Sequence, residues 1–482
     1  MDIDQKELLS QLSFGKVDSE SEDALDKIFI QTNDFNTFLD PQTSVILGAK
    51  GAGKSALFRL FTTFESSARA IARHQLNNVI LIPATGFKDI PNMDYAEVYT
   101  GMKEANFDFQ SAWQIYFAYK LVYGLYDKEY IISGRNSNSL LKWSDKLADK
   151  RFLGIIKKIY SRIIGDVPKI EQLSFKDVSI KLSQNHKISA LDTLKEINEK
   201  LVEENKTVWI LIDKIDELFS DRNQVRKKCI EGLFLTLIDF LSRFSNIKLK
   251  IFLRTDIWEN INFVNQSHLA DKKITLNWDI DSLSRLLVKR ACIKPLIRNF
   301  VSEHSKVTDI EQDYERSFYT LFEKQAYSGT REASTLKYMM DRATDGQGGI
   351  YPRELITFCN YAKNIEFENT EDGVFKTPLI SGLSVRTAFP QVSKTKVTTF
   401  LSEFEWLSQH FKRFEGKNQA SFTKEELIDM MDGLEPNGDD MIRQLYETGV
   451  ICPNLSTVAA ASSFEVPRLF RIGLGIIMPG RP

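Results

Sequence analysis

Between a short β-branched run, Thr43 to Leu47, and a stretch with helical spacing, residues 54 to 64, the chain reads Gly48-Ala49-Lys50-Gly51-Ala52-Gly53-Lys54-Ser55, a full G-x-x-x-x-G-K-[ST] pattern. Strand, glycine loop and helix in that order constrain the fold more than any other feature. Glycines let the backbone wrap an anion, so that amide N–H groups and the start of the helix point at it. Gly48, Ala49, Lys50, Gly51, Ala52, Gly53, Lys54 and Ser55, with Ala56 in the first helical turn, are therefore the candidate phosphate-binding residues. Lys54 supplies a point charge to the β- and γ-phosphates, and the Ser55 hydroxyl is a ligand for Mg²⁺.

The rest of the chain provides the sheet that such a loop needs. Val79 to Ile82, Val208 to Ile212, Leu249 to Leu253 and Lys273 to Leu276 read as further strands. Ile188, Leu191, Leu194, Ile197 and Leu201 recur at steps of three or four, the mark of one helix face, and a second long helix is expected over residues 224 to 244. This alternation predicts an α/β fold, a parallel sheet covered by helices. About 125 residues separate the second and third strands, several times the length of one crossover helix, so an insertion is expected over about 90–185. Its apolar part, Trp113 to Tyr126, reads as a buried helix, with a ligand-stacking aromatic surface as the alternative. Its basic part, residues 140 to 169, holds eight Lys or Arg against three Asp, either a solvated helix face or a track for phosphates or an acidic partner.

The third strand delivers Asp213 to its carboxyl end, where α/β sheets place their ligands, and a carboxylate there holds Mg²⁺. Asp216 and Glu217 follow at three and four residues, and either is a candidate to position the attacking water; an acidic turn after a strand is the plainer reading. Arg254 closes the next strand as a γ-phosphate sensor or a salt-bridge partner. Far downstream, Gly348-Gly349-Ile350-Tyr351-Pro352-Arg353-Glu354-Leu355 puts Arg353 in the first turn of a helix that proline starts, placed to reach nucleotide or to serve structure. No guanine-reading [NT]KxD follows the loop and no LSGGQ-like stretch occurs, which leaves ATP as the expected nucleotide.

At 482 residues the chain is too long for one core. The expected division is a leader over 1–35 packing on the core, a P-loop core over 36–278, a helical lid over 279–365, a polar linker over 366–395 and a winged-helix-like domain over 396–482. The linker is expected because residues 366–395 lose helical periodicity and gain Gly, Pro, Ser and Thr. With 63 basic and 65 acidic residues, net −2, no overall attraction to nucleic acid or anionic membrane is written into the chain. Residues 421–450 carry eight acidic and two basic residues, which argues against a DNA-reading C-terminal domain while leaving nucleic acid open. Four scattered cysteines and five histidines argue against disulfides and structural zinc, and no apolar run is long enough for a membrane span; a cytoplasmic protein is expected.

The loop at Gly48, the run Trp209-Ile-Leu-Ile-Asp213-Lys-Ile-Asp216-Glu217 and Arg254 after the next strand together resemble the STAND group of P-loop ATPases, which includes NACHT and KAP types and lies near the Orc/Cdc6 branch of AAA+ proteins. Trp278-Asp279, Leu283, Leu286-Leu287, Arg290 and the G-x-Y-P-R-E-L stretch resemble the helical lid of that group. Phe14-Gly15 through Asp23, Leu25 and Phe29 is similar to a bacterial family labelled FunZ-like. The resemblance covers residues 14–85 and 186–365. It implies an ASCE-type core with a lid and a winged helix, binding ATP and Mg²⁺ and switching or assembling with itself or an effector protein, including in bacterial antiphage defence. A nucleotide-gated DNA-binding regulator and a non-hydrolysing scaffold are the competing readings. One departure matters: Lys214 stands where AAA+ proteins place their catalytic glutamate, so the base is Asp216 or Glu217, or turnover is slow.

Overall fold

A computed structural model describes residues 4–87, 89, 108–130, 179–183, 186–219, 223–307, 309–329 and 332–477. The basic stretch 140–169 lies outside the described residues. By contacts the chain forms two units, one of Asn33–Ala49 and Lys54–Leu276, the other of Met1–Thr32, Lys50–Gly53 and Asn277–Pro482.

The first unit holds the sheet. Its strands are β1 (Val45–Gly48), β2 (Val79–Ala84), β3 (Thr207–Ile212), β4 (Ile247–Arg254) and β5 (Lys273–Thr275), all paired parallel in the order β2-β3-β4-β1-β5. This is the α/β fold of a P-loop NTPase. Parallel strands need both faces covered, which is why β1 is buried throughout and β3 from Val208 onward. Helices Lys54–Thr62, Phe109–Asp127, Ala190–Glu203 and Asn223–Arg243 accompany the sheet. Helix Phe109–Asp127 settles the choice for the apolar part of the insertion. Trp113 stacks on Phe87 and Phe117 at centroid distances of 4.5 and 5.7 Å and donates its indole N–H to the Cys229 carbonyl, so the aromatic face is core. Ile188 is a correction. It lies in a short antiparallel hairpin, Ser179–Ser183 with His186–Ser189, and the helix it was expected to join begins at Ala190.

The second unit is mainly helical, with Ile280–Ala291, Pro295–Ser305, Tyr314–Leu321, Thr335–Ala343 and Pro352–Asn369 over the expected lid. Two expectations fail in it. Leu8, Leu9, Leu12 and Phe14 of the leader join the hydrophobic core of this unit with Leu283, Leu287 and Phe322, so residues 1–32 belong with the helices rather than with the sheet. Much of the expected linker is helix, because Gly382–Glu403 runs on from a Ser381 cap through Pro390. Val385, Phe389, Val392 and Phe400 bury one face of it, and that apolar stripe outweighs the cost of an internal proline. Beyond it, β6 (Ser421–Thr423), β7 (Cys452–Pro453) and β8 (Ser463–Glu465) make an antiparallel sheet with β8 central, and helices Lys424–Met430 and Gly438–Glu447 lie between β6 and β7 in sequence. A short helix, Arg468–Arg471, follows β8. All four cysteines are free, and no described helix is long and apolar enough to cross a membrane.

Candidate functional site

Strand register assembles the candidate residues of the sheet unit at one edge. β4 lies between β1 and β3, and pairing sets Gly48 opposite Arg254 and Ile212 opposite Ile251. Asp213, one residue past Ile212, donates its backbone N–H to the Ala84 carbonyl of β2. Three distant sequence segments therefore converge because Gly48, Asp213 and Arg254 lie at or just past the carboxyl ends of parallel strands.

At this edge the Lys54 ammonium donates to the carbonyls of Gly48 at 2.7 Å and Ala49 at 3.0 Å, folding the side chain back along its own loop. Burial pushes its pKa down to about 8, against the opposing pull of Asp216 and Asp213. Asp213 is 4% exposed and accepts hydrogen bonds from the Ser55 hydroxyl and the Lys214 amide. Burial raises the pKa of its carboxyl, and its Oδ2 has no hydrogen-bond partner among the described residues. A buried carboxylate oxygen left unpaired is costly, and a hard cation satisfies it. The hydroxyl of Ser55 and the free oxygen of Asp213 are the oxygen donors that Mg²⁺ takes, so these residues fit the ion.

The 3₁₀ turn Ile215–Glu217 separates the two candidate acids. Ile215 is buried, Asp216 is half-buried and acts electrostatically on Lys54, Asp213 and Arg226, and Glu217 is on the exposed side. Lys214, in the place of the usual glutamate, holds a left-handed backbone with φ of 63°. Arg254 forms a two-pronged ion pair with Asp256, Nε to Oδ1 at 3.0 Å and Nη2 to Oδ2 at 2.8 Å, which is the salt-bridge reading of this arginine. Arg226, from helix Asn223–Arg243, shares this charge environment and had no motif to reveal it.

The tip of the loop, Lys50–Gly53, belongs by contacts to the helical unit. Gly51 and Gly53 have φ of +86° and +98°, which only glycine adopts cheaply. A Cβ on Gly51 would stand 2.9 Å from the Arg353 Cβ, so Arg353 lies beside the tip of the loop. Trp278 donates its indole N–H to the Ala52 carbonyl at 2.8 Å. Lys50 and Arg353 both pair with Glu403, the latter at 3.6 Å. Neither Glu403 nor the role of Trp278 as a loop anchor was visible in the sequence. Among the described residues no cluster of three or more His, Cys, Asp or Glu side chains is arranged to hold a metal.

Fold and site thus define a P-loop NTPase fold with a helical unit. No family model matches the sequence, and no curated protein matches it. The STAND and FunZ-like resemblances therefore gain no family-level support. Solved structures similar to it are of Orc/Cdc6 proteins. The ORC2 protein of Aeropyrum pernix, in ADPNP and ADP complexes, is 13% identical with a TM-score of 0.36, covering 94% of this chain and 90% of that one. The ORC1 protein of the same organism in complex with DNA is 12% identical with a TM-score of 0.32, covering 95% and 92%. Drosophila ORC bound to DNA is 10% identical with a TM-score of 0.30, covering 96% and 89%. At such scores, what those proteins bind remains a statement about those proteins.

Proposed function

We propose that this chain binds ATP with Mg²⁺ and hydrolyses it as a molecular switch. The observation that supports this best is Asp213, a buried carboxylate with one oxygen unpartnered, hydrogen-bonded to the hydroxyl of the phosphate-loop serine. Ser55 and Asp213 would hold Mg²⁺, whose charge would offset that of the phosphate oxygens. Lys54 exchanges its loop carbonyls for phosphate oxygens. Asp216 accepts the proton of the attacking water or orients it, in preference to the exposed Glu217. Arg254 and Arg353 stabilise charge that develops on the transferred phosphoryl group.

The switch reading rests on the loop Asp345–Gly349, which precedes the Arg353 helix. Gly346 donates to the Gly449 carbonyl at 2.7 Å, and the Gln347 side chain donates to Glu447 at 3.1 Å. The loop before the Arg353 helix is thus tied to the C-terminal elements, a route by which a change at Arg353 would reach them. Its output is assembly of the chain with itself or an effector protein, with antiphage defence as one setting for such a switch. Phosphate release measured with Mg²⁺ and with excess EDTA tests the chemistry, and light scattering in ATP and in ADP tests the output. Metal-independent release or none would remove the hydrolytic reading; an identical mass in both nucleotides would remove self-assembly.

A further inference from the structure

Glu403 is the last residue of helix Gly382–Glu403 and leads straight into the 3₁₀ turn Glu405–Leu407 and the C-terminal sheet elements. Its side chain is 11% exposed and pairs with two cations at once, Lys50 of the phosphate loop and Arg353 at the start of its helix. A second carboxylate flanks the same loop residue. Glu354, 5% exposed, accepts from Lys396 at 2.6 Å through Oε1, while its Oε2 has no hydrogen-bond partner among the described residues and lies 3.6 Å from where a Gly51 Cβ would stand. Two acidic groups therefore border a segment of chain whose residue types suit an anion. Of the two, Glu354 is paired with Lys396, outside the loop, whereas Glu403 occupies cations that a phosphate would also seek.

We infer that Glu403 is an internal counter-anion that competes with nucleotide phosphate for Lys50 and Arg353, so that nucleotide binding loosens the hold of the loop on the segment after residue 403. The inference rests on the proposed nucleotide-binding role of the phosphate loop and adds its regulation. Competition of this kind is reciprocal: whatever phosphate gains by displacing the carboxylate, the carboxylate takes from phosphate affinity. Glu403 is thus a positioning residue that lowers affinity while coupling it to the C-terminal elements.

The test is titration of a fluorescent ATP analogue into the full chain and into Glu403→Gln, with Glu405→Gln, exposed two residues on, as the control for bulk charge. Removing the competing charge is expected to tighten Kd about 5- to 10-fold, the lower end of typical coupling factors, and Glu405→Gln is expected to leave it unchanged. Limited proteolysis after residue 403 is the second readout. The parental chain is expected to become more sensitive there on adding the analogue, and Glu403→Gln to be equally sensitive with or without it. A Glu403→Gln Kd equal to or weaker than the parental value overturns the inference alone. No binding by the parental chain overturns the phosphate-loop reading and the inference with it. Should Glu403→Gln fold poorly, Lys50→Gln replaces it: losing the cation that Glu403 holds is expected to give the same nucleotide-independent cleavage, and retained protection in that variant counts against the competition.

Discussion

The sheet unit and the helical unit carry their functional residues in different ways. In the sheet unit Gly48, Asp213 and Arg254 sit at or just past the ends of strands, so a local pattern, an apolar run and the residue that closes it, marks them. Gly48, Asp213 and Arg254 are about 165 and 41 residues apart in sequence, yet parallel pairing alone brings them to one edge. In the helical unit the residues at the loop tip, Trp278, Arg353 and Glu403, come from three helices or their flanks with no shared pattern. Strand-edge chemistry is written locally, whereas helix-borne chemistry depends on packing that no short window of sequence contains. If that contrast is sound, removing strand-edge groups should abolish steps, and removing helix-borne groups should shift ratios.

The largest effect is expected from Lys54→Ala. Its ammonium donates to two carbonyls of its own loop, so the variant should fold with a melting temperature within a few degrees of the parent while losing tight ATP binding. Nucleotide-induced thermal stabilisation measures both at once. A variant that is stabilised by ATP as strongly as the parent would show that the loop does not hold phosphate through Lys54.

Next come the carboxylates. Asp213→Ala should lose Mg²⁺-dependent binding. Asp216→Asn should bind ATP but slow turnover by roughly 10²- to 10⁴-fold, the usual contribution of a positioned acid or base. Glu217→Gln, altered on the exposed side of the turn, should stay near the parental rate. The reverse order, a dead Glu217→Gln and an active Asp216→Asn, would assign the water to Glu217. In either case the comparison is of single-turnover rates, since a metal ligand and a water-positioning group fail at different steps.

Arg353→Ala tests the helical side. A contact made only to the γ-phosphate changes the ATP/ADP affinity ratio more than it changes ADP affinity. For a charge-assisted bond of roughly 1.5–3 kcal/mol, the loss of discrimination is on the order of 10- to 100-fold. Calorimetric titration with ADP and a non-hydrolysable ATP analogue decides it, because equal weakening of both nucleotides makes the Arg353–Glu403 pair purely structural.

What the sequence makes legible follows the same division. The order strand, glycine loop, helix is read directly, as are the buried strands, because β-branched and apolar runs bounded by glycine or a charge have few other solutions. Helix Gly382–Glu403 shows why the rest was hidden. Its buried Val385, Phe389, Val392 and Phe400 recur with helical spacing, but Gly382, Pro390 and a run of Ser and Thr give it the composition of a connection. Glu403 was invisible for another reason: a carboxylate at a helix end is ordinary until its partners, Lys50 and Arg353, are known. Lys250 is the opposite surprise, a charged residue type inside the sheet. It is fully buried in β4, donates to the Phe38 and Asp40 carbonyls at 2.8 and 2.6 Å and lies over the Trp209 ring, closing the end of helix Asn33–Phe38. Burial holds its pKa well below the usual lysine value. The neighbouring residues Lys248 and Leu249 give no hint of it.

The smallest expected effect is a pH dependence, and its sign is fixed by Lys54. Burial, the largest cause, depresses the pKa of this ammonium to about 8, so in the nucleotide-free protein it is charged below that pH and neutral above it. A bound phosphate brings negative charge to the same group and raises its pKa. Binding therefore takes up a proton near pH 8, and affinity falls as pH rises through that value, by about tenfold between pH 7 and pH 9 if the bound form stays protonated. Stability moves the other way. A lysine depressed from 10.5 to about 8 binds fewer protons folded than unfolded in that window, so its contribution to stability rises with pH from 8 to 10.5. Nucleotide phosphates, like phosphate monoesters with pKa near 6, keep a constant charge over this range. Calorimetric binding at pH 8.5 in buffers of different ionisation enthalpy measures the proton directly. Uptake approaching one proton, absent in any Lys54→Arg protein that still binds, supports Lys54 as the group that meets phosphate; release, or a flat profile, would move that role to another cation such as Lys50 and leave Lys54 as a strut of its own loop.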